Sequence, residues 1–180
     1  MIVKAGTASP EKYLLHIVMR AMIVRMFRYW WCTTSACPPG QFGGPYIEQF
    51  FLGELDANQH SFFKVIAKMR VSAHCVIRRD GEVVQFVPFH LRAWHAGVSS
   101  FAGRAKCNDY SIGIELEGSD FVPYTDAQYQ ALAELTQALM VRYPHITLPR
   151  ITGHQYIAPL RKTDPGLVFD WRRFRAGLKS

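Results

Sequence analysis

The clearest alternation of apolar and polar positions runs from Asp126 to Tyr143, where Tyr129, Leu132, Leu135 and Leu139 recur at helical spacing along one face. Thr125 stands where a cap is needed, Gln128 follows as its capping-box partner, and Pro144 stops the run, so the pattern predicts a helix over 126–143. Shorter runs rich in Phe and Ile predict helices over 46–55 and 61–69, and 170–177 predicts a closing one. Elsewhere the period shortens to that of a strand. Val71 to Ile77 and Glu82 to Pro88 are β-prone and meet at Arg79-Asp80-Gly81, where Asp-Gly marks a tight hairpin. Ser111 to Glu117 (SIGIELE) predicts a further strand with an acidic end, and Arg150 to Thr152 a last short one. Strands interleaved with helices predict an α/β fold, a single domain with a central mixed β-sheet flanked by helices.

Composition supports one folded unit. The chain has 180 residues, of which 49% are apolar and 19% charged, which excludes disorder, collagen-like repeats and coiled coil. Four cysteines without CxxC spacing argue against a disulfide scaffold and for a reducing, cytoplasmic location. Leu14 to Phe27 is apolar but broken by Arg20 and Arg25, so neither a signal peptide nor a membrane span is expected. An amphipathic surface helix there is the weaker alternative, because the arginines make no clean polar stripe.

Charge changes the picture more. The formal net charge is +7, but Lys4, Lys12, Arg20, Arg25 and Arg28 against Glu11 alone put +4 of it in residues 1–37 and leave +3 for the other 143. The body is only mildly basic, so a nucleic-acid partner is not expected. The first 37 residues also hold four of the six Met and two of the four Trp. The chain therefore divides into an atypical segment, 1–37, and a body, 38–180.

In the body, Gly153-His154 closes a predicted strand and Arg161-Lys162-Thr163-Asp164-Pro165-Gly166 follows in a loop, so an imidazole, an ammonium and a carboxylate can converge at one sheet edge. His154 and Asp164 could form half of a zinc site, since catalytic zinc takes three protein ligands and keeps one position open. On spacing alone a hydrogen-bonded structural histidine is the simpler reading.

Longer runs add to this. SAHCVIRRDGEVVQFVP, RAWHAG at 92–97, NDYSIGIELEG at 108–118 and ITGHQYIAPLRKTDPG at 151–166 resemble the zinc-dependent N-acetylmuramoyl-L-alanine amidase family, in order and almost without gaps from residue 38 onward. Within it they are most similar to the cytosolic branch that acts on anhydro-muramyl peptides in Gram-negative cell-wall recycling. The resemblance implies an amidase fold of the peptidoglycan-recognition kind. It implies hydrolysis of the amide between (anhydro-)N-acetylmuramic acid and L-alanine of a muropeptide partner, by a monomer with Zn2+ as cofactor. His154 and Asp164 match two of three zinc ligands, Glu115 the general base toward the attacking water, and Lys162 the cation that stabilises the oxyanion. Arg70, Trp94 and Lys106 match positions near the sugar and peptide, Lys106 standing where relatives often carry Arg. His74 and His95 fall outside the zinc set and are expected as buried, hydrogen-bonded histidines.

The departure lies before Pro38. Family members carry a strand like Leu-Leu-Val-Val-His-Asn-Ile-Ser-Leu there, whose His is the third zinc ligand, and counting back from Pro38 puts Thr33 in its place. Back-translation suggests why. Tyr29 to Cys37 reads TAY TGG TGG TGY ACN ACN TCN GCN TGY, with TCN taken for Ser35. From the last base of the tyrosine codon this becomes YTG GTG GTG YAC NAC NTC NGC NTG. Leu-Val-Val is then obligatory, and His, Asn, Ile, Ser and Leu are allowed next. Residues 1–37 are thus expected to be an out-of-frame translation, with the zinc set short of one ligand and activity impaired. A muropeptide-binding module that does not cut is the alternative.

Overall fold

The fold is built on a six-stranded sheet whose two innermost parallel pairings bracket one buried strand. The structure is a computed structural model and describes residues 3–4, 29–35, 38 and 40–179, the first two stretches by their backbone. Its elements are β1 (Val3–Lys4), β2 (Tyr29–Ser35), α1 (Tyr46–Leu52), α2 (Ser61–Ile66), β3 (Cys75–Ile77), β4 (Val83–Gln85), β5 (Ser100–Phe101), β6 (Arg104–Ala105), β7 (Ser111–Glu117), α3 (Asp126–Arg142), β8 (Ile151–Gly153), α4 (His154–Ile157) and α5 (Trp171–Gly177). The sheet order is β1-β4-β3-β7-β2-β8; β4 runs antiparallel to both neighbours and the other pairings are parallel. It is the expected single α/β domain with a mixed sheet.

β7 is buried along its whole length because it has strands on both edges and layers on both faces. Successive side chains alternate faces. Ile112, Ile114 and Leu116 pack into the main core with Leu132, Leu135 and Leu139 of α3 and Phe174 of α5, each contributing about 1.5–3 kcal/mol by its removal from water. Gly113, Glu115 and Glu117 occupy the other face.

α3 begins where the pattern places it. Thr125 Oγ1 accepts from the Gln128 N–H and Gln128 Oε1 accepts from the Thr125 N–H, both at 3.1 Å, which closes the capping box. The Asp-Gly hairpin is also present, with Gly81 at φ 91° and its N–H donating to Arg78 O at 2.9 Å. Three expectations are corrected. The strands predicted over 71–77 and 82–88 keep only three residues each, and ahead of the first Ser72 and Trp94 exchange bonds outside the sheet (Ser72 N–H to Trp94 O, Trp94 N–H to Ser72 Oγ, each 3.1 Å). The helix predicted over 46–55 ends at Leu52, where Gly53 turns left-handed at φ 76° and its N–H bonds Phe50 O. His154 does not end a strand: it opens α4 after Gly153.

The amphipathic helix considered over 14–27 lies outside the described residues. Among the described residues no helix is long and apolar enough to cross a membrane.

Candidate active site

Glu115 lies mid-strand on the face of β7 turned away from α3 and is 8% exposed. Two rungs on, the Glu117 carboxylate accepts from the N–H groups of Gly43 (2.6 Å) and Arg79 (3.1 Å), tying the loop after β2 to the β3–β4 turn. Glu117 is thus a structural anchor, and Glu115 lies on the same face of the strand.

On the other side of Glu115, Gly113 makes room for a histidine. A Cβ there would come within 2.3 Å of His95 Cγ, so only glycine lets the His95 ring lie against the strand. His74 lies beside it, with ring centroids 5.6 Å apart. The Gly113 N–H donates to His74 Nδ1 at 3.0 Å, which leaves Nε2–H to donate to Leu91 O at 3.1 Å. Burial pushes the His74 imidazole down to about 4, so it is neutral and fully bonded near pH 7. Burial, followed by the neighbouring His74 and His154, also holds His95 well below the ordinary histidine value. The expectation of hydrogen-bonded histidines fits His74. It fits His95 only loosely, since Nε2 lies 3.5 Å from Ser111 Oγ and Nδ1 has no partner among the described residues.

His154 and Asp164 meet because Gly153 admits the Asp164–Pro165 segment: a Cβ at Gly153 would stand 2.6 Å from Pro165 Cδ. The Gln155 N–H donates to Asp164 O at 2.9 Å and fixes the loop. His154 Nδ1 then lies 3.1 Å from Asp164 Oδ2, with the side chains 4% and 13% exposed.

The other ring nitrogen determines what that contact is. His154 Nε2 is 3.2 Å from Ala96 O, which can only accept, so the tautomer protonated at Nε2 donates there. Arg161 Nη2 competes little for Nε2 at 3.4 Å, being engaged with Ala96 O at 2.7 Å and Val98 O at 2.9 Å. In that tautomer Nδ1 is an acceptor facing a carboxylate oxygen, and two acceptors at this distance need a proton or a cation between them. Donors about 2.0–2.1 Å from a tetrahedral zinc lie roughly 3.3 Å apart, so the pair has the span of two zinc ligands. Ala96 O is the kind of carbonyl that orients a ligating histidine.

The backbone of β2 passes beside this pair. Thr33 shares a rung with Glu115, and Cys32 faces Gly153, the residue before His154. Among the described residues no third His, Cys, Asp or Glu side chain joins His154 and Asp164 in a metal-holding group.

Lys162 is exposed on the loop between His154 and Asp164, its N–H donating to Ala158 O at 3.1 Å. Arg70 is exposed two residues before Ser72, which exchanges bonds with Trp94. Lys106 is left-handed at φ 61°, with its N–H on Ser99 O at 3.0 Å and its carbonyl accepting from the Asp109 N–H at 2.9 Å. Sequence reading missed Ala96 and Arg161. Both fall inside the quoted runs RAWHAG and RKTDPG, but a backbone carbonyl has no residue-type signal and the arginine reads as a surface charge.

The histidine–aspartate pair thus lies at the end of a parallel-strand floor, with Lys162 exposed on the loop that joins its two members. The model of the N-acetylmuramoyl-L-alanine amidase family matches residues 46–167, and the chain belongs to that family. Within it, the chain is 66% identical over 139 residues to the 1,6-anhydro-N-acetylmuramyl-L-alanine amidase AmpD of Citrobacter freundii, covering 77% of this chain and 74% of that one. A crystal structure of a selenomethionine AmpD derivative superposes with a TM-score of 0.82 at 60% identity over 84% of each chain. The E. coli amidase AmiD, in complex with the substrate anhydro-N-acetylmuramic acid-L-Ala-D-gamma-Glu-L-Lys, is 28% identical with a TM-score of 0.63, covering 88% of this chain and 60% of that one.

Proposed function

We propose that this chain is a muropeptide amidase of peptidoglycan recycling. It would cleave the amide between the lactyl group of (anhydro-)N-acetylmuramic acid and L-alanine, acting in the cytoplasm as a zinc-dependent monomer with no nucleic-acid or membrane partner. One observation carries the zinc: His154 Nδ1 and Asp164 Oδ2 lie 3.1 Å apart, the span of two ligands on one metal, while Nε2 lies 3.2 Å from Ala96 O. Zinc, when held there, supplies an activated water and a polarised carbonyl. Glu115 takes the proton from the attacking water and returns it to the leaving amine, and Lys162 offsets the charge that develops on the carbonyl oxygen. Arg70 and Lys106 attract the carboxylates of the peptide, and Trp94 offers a flat face to the sugar.

The third ligand is the weak point. A histidine at position 33 would share the rung of Glu115, and this chain has threonine there. Residues 1–37 are read as a shifted frame, and the metal site is read as weakened and turnover as impaired. The second reading, a module that holds muropeptide without cutting it, draws on the same threonine.

The test compares the 180-residue chain with Thr33→His and with the restored frame, measuring zinc stoichiometry and anhydro-muropeptide cleavage. The expected result is weak zinc and slow or absent cleavage in the chain as it stands, with both recovered on restoration and abolished by a chelator. Full turnover in metal-free protein would refute the zinc reading, and matching zinc content and rates in all three would refute impairment.

A further inference from the structure

Trp94 is 57% exposed, an unusual setting for so large a ring, and its backbone is tied at both ends to Ser72. One face of the indole is covered. The Arg92 guanidinium carbon lies 3.6 Å from the ring centroid, a full stacking contact. Arg92 is held in turn, since its Nε donates to Asp109 Oδ1 at 2.6 Å. Arg92 Nη1 is buried with no partner among the described residues, so the guanidinium forgoes a hydrogen bond to lie on the ring. Asp109 also donates its backbone N–H to Lys106 O at 2.9 Å.

We propose that Arg92 and Asp109 are positioning residues that hold Trp94 as a preset platform, leaving its uncovered face for the apolar face of a pyranose ring. The proposal rests on the reading of Trp94 as the sugar contact. A free indole would sample several rotamers and lose them on binding. An indole already stacked loses little, and the saving appears as affinity. Asp109 makes the arrangement continuous with Lys106, so the sugar platform and a peptide-binding cation share one support.

The experiment uses the 180-residue chain and two readouts. The first is the order of the Trp94 indole N–H in ligand-free protein, by 15N relaxation. The second is the dissociation constant for an anhydro-muramyl tripeptide, in the parent and in Arg92→Ala, Arg92→Lys, Asp109→Asn, Trp94→Ala and Arg92→Ala/Trp94→Ala, each checked for folding by its amide spectrum. Arg92→Ala should loosen the indole and weaken binding roughly three- to tenfold. Arg92→Lys should restore part of both, and Asp109→Asn should move both the same way by less. The double variant should bind no worse than Trp94→Ala alone, because Arg92 acts only through the ring. An unchanged constant in Arg92→Ala while Trp94→Ala weakens binding overturns the positioning role and spares the sugar contact, as does additive loss in the double variant. If Trp94→Ala binds like the parent, or the parent does not bind, the reading of Trp94 falls and the proposal with it.

Discussion

Replacing Gly113 by alanine tests whether the middle strand needs a glycine to seat His95. The added Cβ would lie 2.3 Å from His95 Cγ, 2.5 Å from Nδ1 and 2.8 Å from Cδ2, where ordinary contact begins near 3.4 Å. The ring must therefore retreat by about 1 Å or more, and it has little space, being in a residue only 8% exposed. Its backbone is pinned as well, because Asn108 Oδ1 accepts from both the His95 and the Ala96 N–H, at 3.0 and 2.8 Å. Overpacking of this kind costs about 1–3 kcal/mol, and three overlapping ring atoms place Gly113→Ala at the upper end. For a domain of this size that is a fall in Tm of roughly 6–12 °C. The displacement also runs into Ala96, whose carbonyl orients His154, so zinc affinity in the Thr33→His background should fall too. Urea titration and calorimetry of the parent, Gly113→Ala, His95→Ala and the double variant measure the coupling. Stability within about 0.5 kcal/mol of the parent in Gly113→Ala, or the same penalty with His95 removed, would refute the clash.

Other outcomes follow from the same geometry. In the Thr33→His protein, Glu115→Gln and Lys162→Ala should each lower kcat by roughly a hundredfold or more with zinc retained by metal analysis, since neither is a ligand; loss of zinc in either would reassign it. His74 has a folded value near 4 against 6.5 when unfolded, so between these pH values the unfolded chain binds more protons. Stability is therefore fully present above about pH 6.5 and is lost as pH falls toward 4, by about 3 kcal/mol from this residue, with His95 acting in the same direction. A flat urea midpoint between pH 7 and 4.5 would contradict that. Leu160 is left-handed at φ 68° and fully exposed, so Leu160→Asn should relieve backbone strain without losing packing and stabilise by about 0.5–1 kcal/mol, measured by thermal denaturation.

Much of the fold was legible along the chain. The capping box of α3, its apolar face, the Asp-Gly hairpin and the run SIGIELE are local signals. A cap needs a side chain three residues from its partner, and a buried face needs a fixed period, so neighbours in sequence carry the information. The four runs that resemble the amidases likewise belong to the sequence. What the tertiary structure decided depends on residues far apart. Only the fold brings Asp164 against His154 through the gap at Gly153, and only the fold sets the Ala96 carbonyl, 58 residues earlier, against the other ring nitrogen. The two acids of SIGIELE look alike in sequence, yet only the fold shows that the Glu117 carboxylate accepts from the N–H groups of Gly43 and Arg79, 74 and 38 residues away. The sequence by itself determined the elements and the inventory of reactive groups, because those depend on local spacing and residue chemistry. The tertiary structure decided which groups face each other, because buried donors and acceptors must be paired and that pairing is set by chain crossings no local pattern records.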